Sequence, residues 1–227
     1  MKKLSQVIAL AGVMSAGLVG VQAVQAEVSA SVGIANTYIF RGVDMGAGSA
    51  VVSGSLDYAH ESGAYAGVWA TSGDAGWGDE YNYFVGFGGE VGDFTYDINY
   101  LNYYYPYTKD DAIGAGVEVV NFDDWAEVTL GLGYKGAGFS ATAPTSDDVS
   151  GQYVYYTFTY GMDAFGAKLG FMDHDDNGSG YTHLDLSYQY NDNLSFVVSD
   201  IIDADAGYFA EGQATLFQVS YSLPIEL

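Results

Sequence analysis

The sequence predicts an all-β fold, a transmembrane antiparallel up-and-down β-barrel of about 12 strands with short periplasmic turns and longer extracellular loops. Three observations support this prediction. Segments of about ten residues alternate apolar and polar side chains. The connections between these segments alternate between tight turns and long polar loops, as an even-stranded barrel with both termini on one side requires. Aromatic residues are abundant, with 21 Tyr and 12 Phe among 227 residues.

Residues 1–26 have the pattern of a secretory signal peptide that is removed from the mature protein. Two lysines precede an apolar stretch from Val7 to Val21, and the sequence Val24-Gln25-Ala26 provides the small residues of a cleavage site. Residues 27–227 would then form a single β-barrel domain. Only helices and closed barrels satisfy every backbone polar group in lipid, so the expected location is the outer membrane of a Gram-negative cell.

The predicted strands follow one another at regular intervals after the signal peptide. They fall near residues 28–41, 50–60, 63–72, 80–91, 93–103, 111–121, 124–135, 151–161, 164–173, 180–190, 193–202 and 213–223. Long connections lie around Asp44 and at residues 73–79, 104–110, 136–150, 173–180 and 203–212. Tight turns lie at residues 61–63, 92, 122–123, 161–163 and 191–193. A ten-strand barrel remains an alternative if two of the weaker segments merge.

The two faces of each predicted strand differ in chemistry. In the second strand, Leu56 and Tyr58 share one face while Ser55 and Asp57 share the other. The same separation recurs in the strands near 80–91, 93–103, 111–121, 124–135 and 180–190. An aromatic and aliphatic face opposite a small polar face is typical of a membrane barrel with a wet interior. A soluble sandwich or lipocalin-like barrel would place its apolar faces against a shared core instead.

The chain is strongly acidic. It has 29 Asp and Glu against 6 Lys and Arg, a formal net charge of −23, and no Cys. Loss of the two signal-peptide lysines would bring the net charge to −25. This charge argues against nucleic acid as a partner and leaves outer-membrane lipid, small solutes and cations as the expected partners. The oligomeric state does not follow from the sequence.

Eight polar side chains are predicted to line the pore. They are Arg41, Asp57, Asp97, Glu118, Glu127, Lys168, His183 and Asp185. Arg41, the single arginine, is in phase with Ser29 and Ser31 and is therefore expected at the outer end of a long first strand. Two interpretations remain open: a charged constriction that sets pore selectivity, or an internal salt-bridge network that holds a narrow barrel closed. Carboxylates outnumber cations in either case, so an aqueous path should favour cations.

One predicted loop has the opening of a calcium-binding motif. Asp173, Asp175, Asn177 and Gly178 follow the D-x-D-x-N-G spacing, which offers oxygen ligands at alternate positions and a glycine for the turn. The twelfth position is Leu184 rather than glutamate, which argues against an EF-hand. The alternatives are a Ca²⁺-stabilised extracellular loop and a solvated acidic turn. The sequence predicts no other cofactor.

Catalysis is not expected. His60 and Ser62 have the spacing of a histidine and serine pair, but they fall in a predicted periplasmic turn and no third group is evident to orient the imidazole. His174 lies in the calcium-like loop, and His183 is predicted beside Asp185 rather than beside a serine. The sequence therefore predicts that the protein is not an enzyme.

Residues 28–71 resemble the opening of the TorF-type porin family of small proteobacterial outer-membrane proteins. The matching motifs are YIFRG at residues 38–42, GSLDY at residues 54–58 and SGAYAGVW at residues 62–69. The resemblance implies a barrel and a porin role, and it implies no substrate and no catalytic residue. It covers about a fifth of residues 27–227; beyond residue 71 only the strand rhythm is shared.

Two functions are therefore expected. The first is a porin-like channel for passive diffusion of small solutes, with an acidic, cation-preferring lumen. The second is a plugged or narrow structural or surface-binding barrel that acts through its acidic extracellular loops, with calcium as a stabilising ion.

Overall fold

The computed structural model describes residues 26–75, 77–106, 120–145, 152–174, 180–206 and 214–227. Within these ranges the regular structure is β-strand. The strands are β1 (Glu27–Ala35), β2 (Ile39–Phe40), β3 (Val43–Asp44), β4 (Val51–Ala59), β5 (Ala64–Asp74), β6 (Gly78–Val91), β7 (Phe94–Tyr105), β8 (Val120–Tyr134), β9 (Ala137–Pro144), β10 (Tyr153–Met162), β11 (Phe165–His174), β12 (Gly180–Gln189), β13 (Leu194–Ala204) and β14 (Leu216–Ile225).

Twelve of these strands form a closed antiparallel barrel. β1 pairs with β4, each later strand pairs with the next along the chain, and β14 pairs back with β1, where Ile34 faces Tyr221. β2 and β3 form a separate two-stranded sheet. The predicted all-β barrel of twelve strands is confirmed. Within the described ranges no helix is long and apolar enough to cross a membrane.

The two ends of the barrel differ in their connections. One end, here the turn end, has the tight turns at residues 60–63, 92–93, 135–136, 163–164 and 190–193 together with the start of β1 and the end of β14. The other end, here the loop end, has the connections at residues 36–50, 75–77, 106–119, 145–152, 175–179 and 205–215. Long and short connections therefore alternate as predicted, except that only three residues separate β5 from β6.

The predicted strands in the middle of the chain were wrong in two places. One predicted wall strand has no separate counterpart in the barrel and one observed strand was not predicted, so the total of twelve is unchanged. Residues 111–119 of the predicted strand 111–121 lie outside the described residues. β7 pairs directly with β8, which begins at Val120 and continues through the predicted turn at 122–123, so no wall strand lies between β7 and β8. The predicted loop at 136–150 contains β9 instead. Lys135 and Gly136 have positive φ angles of 46° and 84° and make the tight turn between β8 and β9.

The outer face of the wall is apolar. Leu132 is 61% exposed and Phe165 is 63% exposed, and both point away from the lumen. Outward aromatic side chains are concentrated near the turn end, at Tyr58, Phe94, Tyr96, Tyr134, Tyr160, Phe165, Tyr188 and Tyr190. Some of them pack in pairs across neighbouring strands, as in Phe94 and Tyr134, whose ring centroids are 4.6 Å apart. An apolar band with an aromatic girdle is the surface that a lipid bilayer requires of a barrel.

The connection between β1 and β4, residues 36–50, folds into the barrel and is named here the plug hairpin. Its strands β2 and β3 pair Ile39 with Asp44 and Phe40 with Val43, which leaves Arg41 and Gly42 as a two-residue turn. Both turn residues have positive φ angles, 50° and 85°, as a type I′ hairpin turn requires. The first wall strand consequently ends at Ala35, and the prediction of a strand over 28–41 is wrong at this end.

Candidate functional site

The base of the plug hairpin is fixed to the last wall strand. The Asn36 backbone and side chain exchange hydrogen bonds with Phe217 and Val219, and Gln218 Nε2 donates to the Thr37 carbonyl at 2.8 Å. Within the plug hairpin, the Asp44 carboxylate accepts hydrogen bonds from the backbone of Gly46 and Gly48. The plug hairpin is therefore a shaped element with a defined root.

The tip of the plug hairpin carries Arg41 across the lumen to the opposite wall. Arg41 Nη2 donates to both carboxylate oxygens of Glu127 on β8, at 2.7 and 2.6 Å. The two side chains are only 5% and 4% exposed. Tyr103 and Tyr153 also donate their hydroxyls to Glu127, the former at 2.9 Å. A buried ion pair with additional donors on the carboxylate is the arrangement that compensates for desolvation of both charges.

Aromatic rings surround the Arg41 guanidinium. Its Cζ atom lies 4.5 Å from the ring centroid of Tyr155, 5.5 Å from that of Tyr153 and 4.7 Å from that of Phe40. These distances are in the range of cation–π attraction. Tyr103 stacks on Trp125 with centroids 4.3 Å apart, which holds this part of the wall in place. We name the wall residues Glu127, Tyr103, Tyr153 and Tyr155 the Glu127 site.

A second polar network lies beside the tip of the plug hairpin. His183 is fully buried, and its Nε2 hydrogen-bonds to the Tyr155 hydroxyl at 2.7 Å while its Nδ1 hydrogen-bonds to Asp185 at 2.9 Å. Asp185 also pairs with Lys168 Nζ at 2.6 Å. The Tyr181 hydroxyl donates to the Arg41 carbonyl at 3.0 Å. The plug hairpin thus rests on an ordered polar wall, and the two luminal cations are each paired with a carboxylate.

The loop half of the lumen is closely packed on the other side as well. Glu80 and Asn82 on β6 are 1% and 0% exposed, and Asn82 Nδ2 donates to Glu80 Oε1 at 2.6 Å. Tyr38 of the plug hairpin is 3% exposed and contacts Glu80. Glu80 was not among the predicted pore-lining residues, although the alternation of the predicted strand at 80–91 puts it on the polar face with Asn82. Buried side chains therefore fill the lumen where the plug hairpin enters.

The turn half of the lumen is more open. Asp57 and Asp97 are both half-buried. Asp57 accepts a hydrogen bond from Ser55 at 2.7 Å, and Asp97 accepts one from the Tyr65 hydroxyl at 2.8 Å. Neither carboxylate has a Lys or Arg partner among the ion pairs of the described residues. This half of the barrel is an acidic vestibule that ends at the plug hairpin.

The structure places seven of the eight predicted pore-lining residues inside the barrel, and Glu118 lies outside the described residues. The prediction that Arg41 extends the first wall strand is wrong, because the chain leaves the wall after Ala35 and turns back at Arg41 and Gly42. The alternation that grouped Arg41 with Ser29 and Ser31 therefore does not reach Arg41, because the strand ends six residues before it. Its position inside the lumen comes from the plug hairpin.

Of the calcium-like motif, the structure describes Asp173. Asp173 is near the loop end of β11, on the outer face and exposed, while Asp175 and Asn177 lie outside the described residues. In the ranges that the structure describes, no group of three His, Asp or Glu side chains is arranged to hold a metal ion. The calcium-stabilised loop stays a prediction.

The pair His60 and Ser62 lies in the tight turn between β4 and β5. His60 Nδ1 hydrogen-bonds to the Ser62 hydroxyl at 2.9 Å and accepts the Ser62 backbone N–H at 3.1 Å. Both contacts are local bonds of the kind that shapes a turn. The spacing of these two residues is accounted for by the turn geometry.

Comparison with known proteins gives one family match. The Gcw_chp model, described as a bacterial protein of unknown function, matches residues 21–215 and so spans β1 to β13. No curated protein matches the chain.

Proposed function

Given that this chain belongs to the Gcw_chp family of bacterial proteins, whose description assigns no activity, we propose that it is an outer-membrane diffusion channel for small solutes. The plug hairpin closes this channel at rest. When the plug hairpin leaves the lumen, the path prefers cations. The porin role implied by the TorF-type resemblance agrees with this proposal, which involves no catalysis.

The separate sheet of the plug hairpin is the observation that carries the proposal. β2 and β3 pair with each other and share no ladder with the twelve wall strands. The tip is held by side chains, above all by Arg41 on Glu127. The plug hairpin can therefore leave the lumen without breaking the hydrogen-bonded wall, which is the property of a gate.

The charge of the lumen supports a preference for cations. Acidic side chains that line it in the described part of the chain include Asp57, Asp74, Glu80, Asp97, Glu127 and Asp185. Arg41 and Lys168 are the basic ones there. Departure of the plug hairpin would remove Arg41 and expose Glu127, so opening would make the path more acidic. Rings of carboxylates select cations in channels.

A permanently plugged barrel is the second candidate. The complete burial of His183 beside the tip of the plug hairpin favours it, because both ring nitrogens are hydrogen-bonded, to Tyr155 and to Asp185, and a satisfied polar network stabilises one closed arrangement. Such a barrel would act through its loop-end connections, whose sequences are rich in acidic residues, with a calcium-stabilised loop as one form of that role.

Conductance in planar bilayers distinguishes the two candidates. Ala35 and Val51 face each other in the β1–β4 ladder, so residues 36–50 can be replaced by a two-residue Asn-Gly turn. We expect the wild-type protein to give only rare openings. The plug-deleted variant should give a steady current whose reversal potential in a KCl gradient favours K⁺.

The matched control is the same deletion with Glu127→Gln, which should conduct with a weaker preference for K⁺. A plug-deleted variant that folds, as judged by heat-modifiable migration on a gel, but carries no current would reject the channel. A current that favours Cl⁻ would reject the predicted selectivity.

A further inference from the structure

We propose that the Glu127 site is a binding site for guanidinium-type organic cations and that Arg41 occupies it as an internal ligand. The site consists of one carboxylate, two hydroxyls bonded to that carboxylate, and aromatic faces. All of these groups belong to the wall, on β7, β8 and β10. Removal of the guanidinium would leave the site assembled and its ligand position empty.

The chemistry of the site selects a planar organic cation. A carboxylate pairs with any cation, but the Tyr155 and Tyr153 rings, 4.5 and 5.5 Å from Cζ, favour a flat and weakly hydrated one. A sodium ion or a primary ammonium ion retains its water more strongly than guanidinium does and stacks less well on an aromatic face. Guanidinium groups on small solutes are therefore the expected ligand class.

The backbone at the tip of the plug hairpin supports the view that the guanidinium contact is strong. Arg41 has a φ angle of 50°, a left-handed conformation that costs an L-residue other than glycine about 1 kcal/mol or more. Type I′ turns usually place Asn, Asp or Gly at this position. An arginine is held there because its side chain reaches Glu127. Strained residues of this kind are concentrated at binding and switch sites.

This inference does not require that the barrel conducts. It concerns a site on the wall, and it can be tested by binding alone. If the barrel is a channel, the site would lie on the permeation path beyond the acidic vestibule, and a guanidinium solute would compete with Arg41 for it. A lack of conduction would not contradict guanidinium binding at the Glu127 site, and a lack of guanidinium binding would not contradict conduction.

Chemical rescue tests the proposal. The variant Arg41→Ala, folded in detergent, is titrated with guanidinium chloride at millimolar concentrations, well below those that denature proteins, and its melting temperature is followed. We expect the melting temperature to rise and to saturate, because the cation refills the position that Arg41 leaves. Sodium chloride controls for ionic strength, and urea, which has the same shape without the charge, should give no saturable rise.

Two further proteins complete the experiment. The wild-type protein, whose site Arg41 already fills, should show no saturable rise. Arg41→Ala combined with Glu127→Gln should bind guanidinium at least about tenfold more weakly, because the charge-assisted hydrogen bonds are lost. If Arg41→Ala does not fold, Arg41→Met replaces it, since methionine keeps the apolar part of the side chain. Equal responses to guanidinium and sodium, or equal binding with and without Glu127, would overturn the proposal.

Discussion

At the scale of residues, Arg41 and Gly42 decide where the plug hairpin stops. The turn brings Arg41 to Glu127 and lays the Gly42 backbone directly against His183. A Cβ atom built on Gly42 would lie 2.6 Å from His183 Cβ, which is closer than packed carbon atoms approach. This position needs glycine for two reasons: its φ angle of 85°, and the lack of room beside the wall.

The comparison of Gly42→Ala with Gly48→Ala separates these two reasons. Both glycines have positive φ angles, but a Cβ on Gly48 would meet no atom within 4 Å. We expect Gly48→Ala to cost about 1 kcal/mol from backbone strain alone. Gly42→Ala should cost about 1–3 kcal/mol more, because the new methyl group must displace His183 or lift the tip of the plug hairpin. Urea unfolding followed by tryptophan fluorescence measures both; equal losses would show that the tip is not seated on His183.

At the scale of elements, β9 shows where sequence patterns stop being informative. Its outward residues are Ala137, Phe139, Ala141 and Ala143, so Phe139 is the one large side chain on a face that is otherwise alanine. Residues 111–121 have the stronger alternation of Ile, Val and Gly, yet β7 pairs directly with β8, which begins at Val120, and no wall strand lies between the two. Small residues on a lipid-facing strand weaken the periodic signal without weakening the hydrogen-bonded ladder.

A pair of arginine substitutions tests this reassignment. Ala141→Arg would place a charge on the outer face of β9 and should destabilise the folded barrel in lipid by about 2–4 kcal/mol if the position is near the bilayer midplane. Val117→Arg, which the alternating pattern would put on a wall strand, should have a much smaller effect. Folded fractions in vesicles, read from heat-modifiable migration across a urea series, give both values. A large loss for Val117→Arg with none for Ala141→Arg would restore the predicted strand at 111–121.

The inner face of the wall was predictable, and the closure of the lumen was not. Asp57, Asp97 and Asp185 could be placed inside because a period of two follows from the local geometry of a strand. The contact between Arg41 and Glu127 joins residues 86 positions apart, and no local pattern encodes it. The sequence did contain one relevant signal, since Arg41-Gly42 between short apolar segments fits a two-residue hairpin turn.

At the scale of the whole molecule, the asymmetry of the barrel gives its expected orientation. The tight turns, the start of β1, the end of β14 and the aromatic girdle all lie at the turn end of the barrel. The long connections lie at the loop end. In outer-membrane barrels the short turns face the periplasm and the long loops face outward. The acidic vestibule would then open to the periplasm, with the plug hairpin between it and the cell exterior.

Epitope insertion tests the orientation. An epitope inserted at residue 210, in the connection between β13 and β14, should bind antibody on intact cells. The same epitope inserted between Asn191 and Asp192, in the tight turn after β12, should bind only after the outer membrane is permeabilised. The reverse result would invert the barrel, and labelling of neither site after permeabilisation would place the protein elsewhere.

The root of the plug hairpin on the last strand has a consequence for biosynthesis. The partners of Asn36 and Thr37, which are Phe217, Gln218 and Val219, lie 181 to 183 positions further along the chain and are therefore made much later. The plug hairpin cannot acquire its root until β14 has joined β1, so seating of the plug hairpin and closing of the cylinder are coupled steps. A nascent barrel would remain unblocked until assembly is complete, and the final hydrogen bonds of folding would also be the ones that seal it.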